Sequence, residues 1–107
     1  MEILTQKVGE NYIIKLRGEL DASTAESVEK ILDEVVKLEP QQIQIDCKEL
    51  IYISSRGLGV FISRYQEINE RQIRFFLSNM TEQVRYVFKA LGLDELMDLR
   101  SDKMYTS

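Results

Sequence analysis

The sequence contains no histidine and no tryptophan, and it has one cysteine, Cys47. Without histidine, the usual zinc and copper ligand sets and the usual base of a serine hydrolase are missing. A lone cysteine cannot form an internal disulfide, and Cys47 falls on the apolar side of a strand pattern, so we expect it to pack in the core. No Walker-type run or dinucleotide fingerprint is present either. We therefore predict a protein that is not an enzyme and that has no catalytic, cofactor or metal site.

The chain also lacks a long apolar run and an excess of basic charge. No window approaches the ~20 apolar residues of a membrane span, and residues 1–5 lack the features of a signal peptide. The formal net charge of −4 disfavours binding to phosphate backbones and anionic lipid. We therefore expect a cytoplasmic protein that binds another protein, with no nucleic acid, membrane or small-molecule substrate as its partner.

Two strand patterns open the chain. Tyr12, Ile14 and Leu16 alternate with the residues between them, which is the period of a strand. Residues 3–8 form an earlier strand pattern, and residues 9–11 provide a turn. The sequence therefore begins with a predicted hairpin.

A helical pattern follows, with apolar residues at positions 28, 31, 32, 35 and 38. Asp21 or Ser23 can cap this helix, and Glu26 would complete a capping box with Ser23. Pro40 is expected to end it.

Strands and helices continue to alternate through the rest of the chain. We predict a strand over residues 42–47, a helix over about residues 55–69, a strand over residues 73–77, a third helix capped by Asn79 or Thr81 and closed by Gly92, and a short strand over residues 96–99. The second helix should bury an apolar face made of Leu58, Phe61, Ile62, Tyr65 and Ile68.

This alternation predicts crossover connections and a largely parallel sheet. Gln42, Gln44 and Asp46 interrupt what would otherwise be an apolar strand, so a sheet buried on both faces is disfavoured. We therefore predict a single α/β domain over residues 1–107, with a mixed, mostly parallel sheet of four to five strands. It has an N-terminal hairpin, helices packed mainly on one face, and a frayed tail over residues 100–107.

Two serines and two glycines lie where an apolar run ends and the second helix begins. Ser54 and Ser55 stand at the helix start, whose free N–H groups suit a phosphoryl group or a docking partner. Ser54 can equally serve as a simple N-cap. Gly57 and Gly59 each sacrifice roughly 1 kcal/mol of helix propensity. Either close packing within the domain or a flat surface for a partner would explain them.

The run Ile53, Ser54, Ser55, Arg56, Gly57, Leu58, Gly59 resembles the motif of the anti-sigma factor antagonist (anti-anti-sigma factor) family, whose members are STAS domains. Gly18 to Asp21 and Asp46 add to the resemblance, which extends from about residue 3 to residue 99. It implies a protein that binds an anti-sigma factor serine kinase and so releases a sigma factor. Phosphorylation by that kinase, on Ser55 or as second choice Ser54, would end binding, and a PP2C-type phosphatase would restore it.

The resemblance also implies a partner-binding surface made of Asp21, Ser54, Ser55, Arg56, Gly57 and Leu58. Two of these depart from the family pattern: Ser54 stands where an aspartate is usual, and Arg56 where a small residue is usual. The Arg56 guanidinium could pair with a phosphate on Ser55 or reach a carboxylate of the partner. The departures also motivate an alternative function, a constitutive scaffold subunit of a signalling or transport assembly that phosphorylation does not control.

Overall fold

Five strands lie side by side in the order in which they occur along the chain: β1 (Glu2–Val8), β2 (Asn11–Leu20), β3 (Gln42–Ile53), β4 (Arg74–Ser78) and β5 (Asp98–Arg100). β1 and β2 form an antiparallel hairpin, and every later neighbour runs parallel. This is a computed structural model that describes residues 1–100. The predicted hairpin and mixed, mostly parallel sheet are confirmed.

Four helices fill the connections between the parallel strands: α1 (Ala25–Lys37), α2 (Ser55–Glu70), α3 (Glu82–Ala90) and α4 (Leu93–Leu96). Buried side chains from all four belong to one apolar cluster with inward-facing residues of the sheet, such as Ile14, Ile45 and Leu77. The helices therefore cover one face of the sheet, as predicted. Cys47 is buried in the same cluster, and this burial raises the pKa of its thiol well above the ordinary value.

The polar residues that interrupted the pattern of β3 lie on the opposite face. Gln44 is buried there and donates a hydrogen bond from Nε2 to Ser78 Oγ over 3.0 Å, so its amide is not left unpaired. Phe76 lies on the same face, with the Arg100 guanidinium 3.9 Å from its ring centroid. Within residues 1–100, this face therefore presents side chains such as Gln44, Ser78 and Phe76 and is not covered by the helices.

The predicted cap of α1 is wrong. Thr24, not Asp21 or Ser23, precedes the helix, and the Thr24 hydroxyl accepts from the Asp21 N–H and donates to the Glu19 carbonyl. The capping box with Glu26 does not form because Ser23 donates to the Asp21 carboxylate instead, from both its backbone N–H and its hydroxyl. The turn at Asp21 places the helix start at Ala25, one residue later than a Ser23 cap would and three later than an Asp21 cap would.

β3 extends to Ile53, well beyond the predicted end at residue 47, so Asp46 lies within the strand. It can do so because β2 is also long and stays paired with it through Leu20, despite two irregularities in register. At the other end of the chain, Leu96 belongs to the short α4, and β5 begins only at Asp98.

Arg100 was predicted to begin a frayed tail, and for this residue the prediction is wrong. It is the last residue of β5, and its carbonyl accepts a hydrogen bond from the Asn79 N–H over 3.2 Å. The remainder of the predicted tail, residues 101–107, lies outside the described residues.

Candidate functional site

The carboxyl ends of β2 and β3 bring the two halves of the sequence motif together. Leu20 and Ile53 are partners in the parallel register, and each is the last residue of its strand. The next residues along the chain are Asp21 and Ser54, and the Ser54 N–H donates to the Leu20 carbonyl over 2.9 Å. Residues that are far apart in sequence therefore share one edge of the sheet.

Ser54 is the N-cap of α2. Its backbone is extended (φ −95°, ψ 174°), and its hydroxyl accepts a hydrogen bond from the Gly57 N–H over 3.2 Å. The Ser54 carbonyl accepts the first helical bond, from Leu58 N. This confirms the N-cap interpretation of Ser54, whose side chain satisfies one of the free N–H groups of the helix start.

Ser55 is the first residue of α2 and is exposed. Within residues 1–100, no side-chain or backbone group forms a hydrogen bond with its hydroxyl, in contrast to Ser54. A group attached to this oxygen would sit beside the positive end of the helix dipole. The Ser55 hydroxyl is thus open to solvent and to a second protein.

Gly57 and Gly59 have different explanations. A Cβ on Gly57 would lie 2.7 Å from the Leu20 carbonyl oxygen and 3.0 Å from Ile53 Cγ1, so close packing within the domain requires this glycine. A Cβ on Gly59 would meet nothing within 4 Å. Packing within the described chain therefore explains why residue 57 is a glycine. It does not explain Gly59, against which no other described residue packs.

Leu58 cannot offer its side chain to a partner, because it is only 2% exposed and packs in the core. The prediction that Leu58 contacts a partner directly is therefore corrected: its side chain packs α2 against the core of the domain. Gly57 is likewise buried beneath the helix start. The exposed part of the predicted surface consists of Ser55 and Arg56, with Asp21 and Ser54 partly accessible.

Asp21 carries a fixed negative charge at this edge. Its Oδ1 accepts hydrogen bonds from the Ser23 hydroxyl over 2.7 Å and from the Ser23 N–H over 2.9 Å. These two bonds, the hydroxyl first, lower the pKa of the Asp21 carboxyl below its ordinary value. Asp21 is thus ionised and held in a defined orientation at neutral pH.

Arg56 has a partner that the sequence did not predict. Its Nη2 lies 2.9 Å from Oε1 of Glu29 on α1, and this bond raises the pKa of the arginine and lowers that of the glutamate. The other oxygen of Glu29 accepts from Arg64 Nη1 over 2.8 Å, and Arg64 also pairs with Asp33 through Nε and Nη2. This ion-pair network links α1 to the exposed side of α2.

A second feature that sequence reasoning missed is an apolar groove of about 480 Å³ beside the helix start. It lies between the end of β3 and α3, and its lining includes the exposed side chains of Ile51, Tyr52 and Tyr86. The prediction that β3 ends at residue 47 concealed the groove, because it left residues 51 and 52 in a connection. The signal that could have found it is Tyr52, which immediately precedes the motif.

Comparison with known proteins identifies the family to which this fold belongs. The family model described as "STAS domain" matches residues 2–107. The chain belongs to the STAS domain family. A curated relative, the anti-sigma-B factor antagonist of Listeria monocytogenes, is 30% identical over 88 residues, which are 82% of this chain and 77% of that protein. The resemblance to the anti-sigma factor antagonist family is thereby confirmed.

Two solved structures share the fold of this STAS domain. The anti-sigma factor antagonist SpoIIAA in its unphosphorylated form has a TM-score of 0.84 at 22% identity, over 98% of this chain and 91% of that one. The Bacillus cell fate determinant SpoIIAA in the phosphorylated form has a TM-score of 0.77 at 22% identity, over 98% of this chain and 95% of that one. At this level of identity, the likeness concerns the fold alone.

No helix within residues 1–100 is long and apolar enough to span a bilayer. No group of three or more cysteine or carboxylate side chains in the same part of the chain is arranged to hold a metal ion.

Proposed function

We propose that this STAS domain is an anti-sigma factor antagonist whose binding is switched off by phosphorylation of Ser55. The observation that carries the proposal is the position of Ser55: exposed, at the first residue of α2, with a hydroxyl that has no hydrogen-bond partner within residues 1–100. The curated relative named as an anti-sigma-B factor antagonist and the relative solved in a phosphorylated form support it.

The physical basis of the switch is a change of charge at a docking surface. A phosphate on Ser55 would add about −1.5 to −2 charges beside Asp21, which is already ionised. The helix dipole tolerates this charge at the start of α2, so the fold would persist. A partner that docks on Asp21, Ser54, Ser55 and Arg56 would instead have to desolvate a dianion. Phosphorylation would therefore end binding without unfolding the domain.

The proposed partner is an anti-sigma factor that is itself a serine kinase, and a PP2C-type phosphatase would reverse the modification. Sequestering the anti-sigma factor would release a sigma factor. We place this activity in the cytoplasm, and we assign the domain a binding role rather than a catalytic one, in a single domain spanning residues 1–107.

Phosphorylation can be tested with matched serine variants. Wild type, Ser55→Ala and Ser63→Ala would be incubated with ATP and an anti-sigma serine kinase of the same organism, and the phosphosites mapped by mass spectrometry. Ser63 is an exposed serine two turns further along α2. We expect phosphate on wild type and Ser63→Ala but not on Ser55→Ala. Modification of Ser54 alone would move the acceptor by one residue and contradict the assignment.

Binding is tested with the unmodified protein, the phosphorylated protein and Ser55→Asp. We expect the unmodified protein to bind the kinase, and both negatively charged forms to bind at least tenfold more weakly, which corresponds to about 1.4 kcal/mol. Equal binding of all three forms would overturn the switch and favour the alternative, a constitutive scaffold subunit.

A further inference from the structure

The Arg56–Glu29–Arg64–Asp33 network holds its two arginines unequally. Arg64 uses Nε and Nη2 on the two oxygens of Asp33 and Nη1 on Glu29, and its side chain is mostly buried. Within residues 1–100, Arg56 makes a single hydrogen bond, from Nη2 to Glu29, and its side chain is 48% exposed. Breaking the ion pair of Arg56 therefore costs less free energy than breaking those of Arg64.

Glu29 does not need Arg56 in order to remain paired. Its side chain is only 19% exposed, so an unpaired carboxylate there would be unfavourable. When Arg56 leaves, Arg64 Nη1 still donates to Oε2 of Glu29. The network can thus release one cation without leaving a partly buried anion unpaired.

A phosphate on Ser55 would lie within reach of that cation. Arg56 directly follows Ser55 at the start of α2. Side chains on a helix lean toward its N-terminus, so the long Arg56 side chain leans toward the end where the phosphate would sit. A phosphate dianion also has more charge and more acceptor oxygens than the single carboxylate oxygen that Arg56 now contacts, and it accepts two parallel bonds from a guanidinium.

On the basis of the proposed phosphorylation of Ser55, we propose that the Arg56 guanidinium leaves Glu29 and pairs with the Ser55 phosphate. The modification would thereby also break the ion pair that links the start of α2 to α1. Arg56 acts in this transfer as a positioning residue. The transfer changes two surfaces at once: the phosphate is partly neutralised, and the Glu29 side of α1 loses its contact with Arg56. The effect of phosphorylation would thereby reach from Ser55 to the surface of α1 around Glu29.

The test uses the full chain with phosphoserine placed at position 55 during translation, so that no kinase is needed. The second ionisation of the phosphate is followed by phosphorus NMR in wild type, Arg56→Gln and Arg71→Gln. Arg71 lies just past the other end of α2, where it pairs with Glu67, and its substitution removes the same charge far from Ser55. The charged groups that act on Arg56, namely Glu29, Arg64 and Glu26, and Asp21 at the end of β2 are unchanged in all three proteins.

We expect Arg56→Gln to raise the pKa of the phosphate by roughly 0.5, because the paired cation favours the dianion, and Arg71→Gln to leave it unchanged. Nitrogen NMR of the Arg56 side chain should also shift when the phosphate is present. A phosphate pKa that is the same in wild type and Arg56→Gln would overturn the transfer. Since the phosphate is installed without a kinase, this result is independent of the tests of kinase action and partner binding.

Discussion

Gly57 lies so close to Leu20 that a Cβ on the glycine would come within 2.7 Å of the Leu20 carbonyl oxygen and 2.8 Å of its Cγ. The same Leu20 carbonyl accepts a hydrogen bond from the Ser54 N–H. This contact sets where α2 begins relative to the end of β2. The position of the α2 start, and with it Ser55, at the carboxyl end of β2 therefore depends on the absence of one methyl group.

Gly57→Ala should destabilise the domain. The first obstacle to a Cβ is a backbone oxygen, which cannot rotate away as a flexible side chain could. We expect a loss of about 1–3 kcal/mol in the free energy of unfolding, the usual cost of overpacking. Urea denaturation monitored by circular dichroism measures this, and a midpoint equal to that of wild type would contradict the packing argument.

Gly59→Ala should have the opposite effect on stability. The same substitution two residues along the same helix meets no atom within 4 Å, so helix propensity dominates, and we expect a gain of about 0.5–1 kcal/mol in urea unfolding. Under the proposed function, this variant should bind the anti-sigma factor more weakly, because the added methyl fills a bare contact surface. A variant that is more stable and binds as well as wild type would show that the partner does not approach Gly59.

Ser54→Ala should cost about 1 kcal/mol of stability, because the Gly57 N–H loses its side-chain acceptor. Ser54→Asp should retain most of that stability, since aspartate caps equally well. Ser55→Ala serves as the control and should stay within about 0.5 kcal/mol of wild type, as an exposed position would. Thermal or urea unfolding of the three variants checks this ranking, and equal losses at positions 54 and 55 would contradict the assignment of the cap.

Glu29 should contribute stability that depends on pH. The hydrogen bond from Arg56 is the largest cause that lowers the pKa of Glu29 below its unfolded value. Its contribution is therefore present above the unfolded pKa, near 4.3 for glutamate, and is lost as pH falls through the lower folded pKa. We expect Glu29→Gln to be less stable than wild type at pH 7 by less than about 1 kcal/mol, and the difference to shrink toward pH 3. Urea midpoints that differ equally at both pH values would refute this.

Local signals in the sequence were good guides at the ends of α2 and α3. Ser54 caps α2 as predicted, and Gly92 adopts a positive φ of 73° just after α3, as a residue closing a helix does. Each depends only on backbone groups within a few residues. The predicted cap of α1 was wrong although its signal is equally local, because the Ser23 hydroxyl donates to the Asp21 carboxylate two residues earlier and Thr24 occupies the N-cap position.

The rotation of α2 about its axis could not be predicted from spacing alone. Ile62 was assigned to the buried face but is 44% exposed, whereas Val60, which was left out, is 0% exposed. An apolar stripe on a helix spans a wide arc, and the contact of Gly57 with Leu20 decides which part of that arc faces the sheet.

What the sequence by itself determined is the order of strands and helices, the one-sided sheet and the serine that caps α2. These follow from alternation, helical spacing and hydrogen bonds between near neighbours. Only the tertiary structure decided that Gly57 serves internal packing while Gly59 does not, that Leu58 is withdrawn from the surface, and that Arg56 pairs with Glu29, 27 residues away. Such relationships join separate elements, and they exist only once the helices have packed against the sheet and against each other.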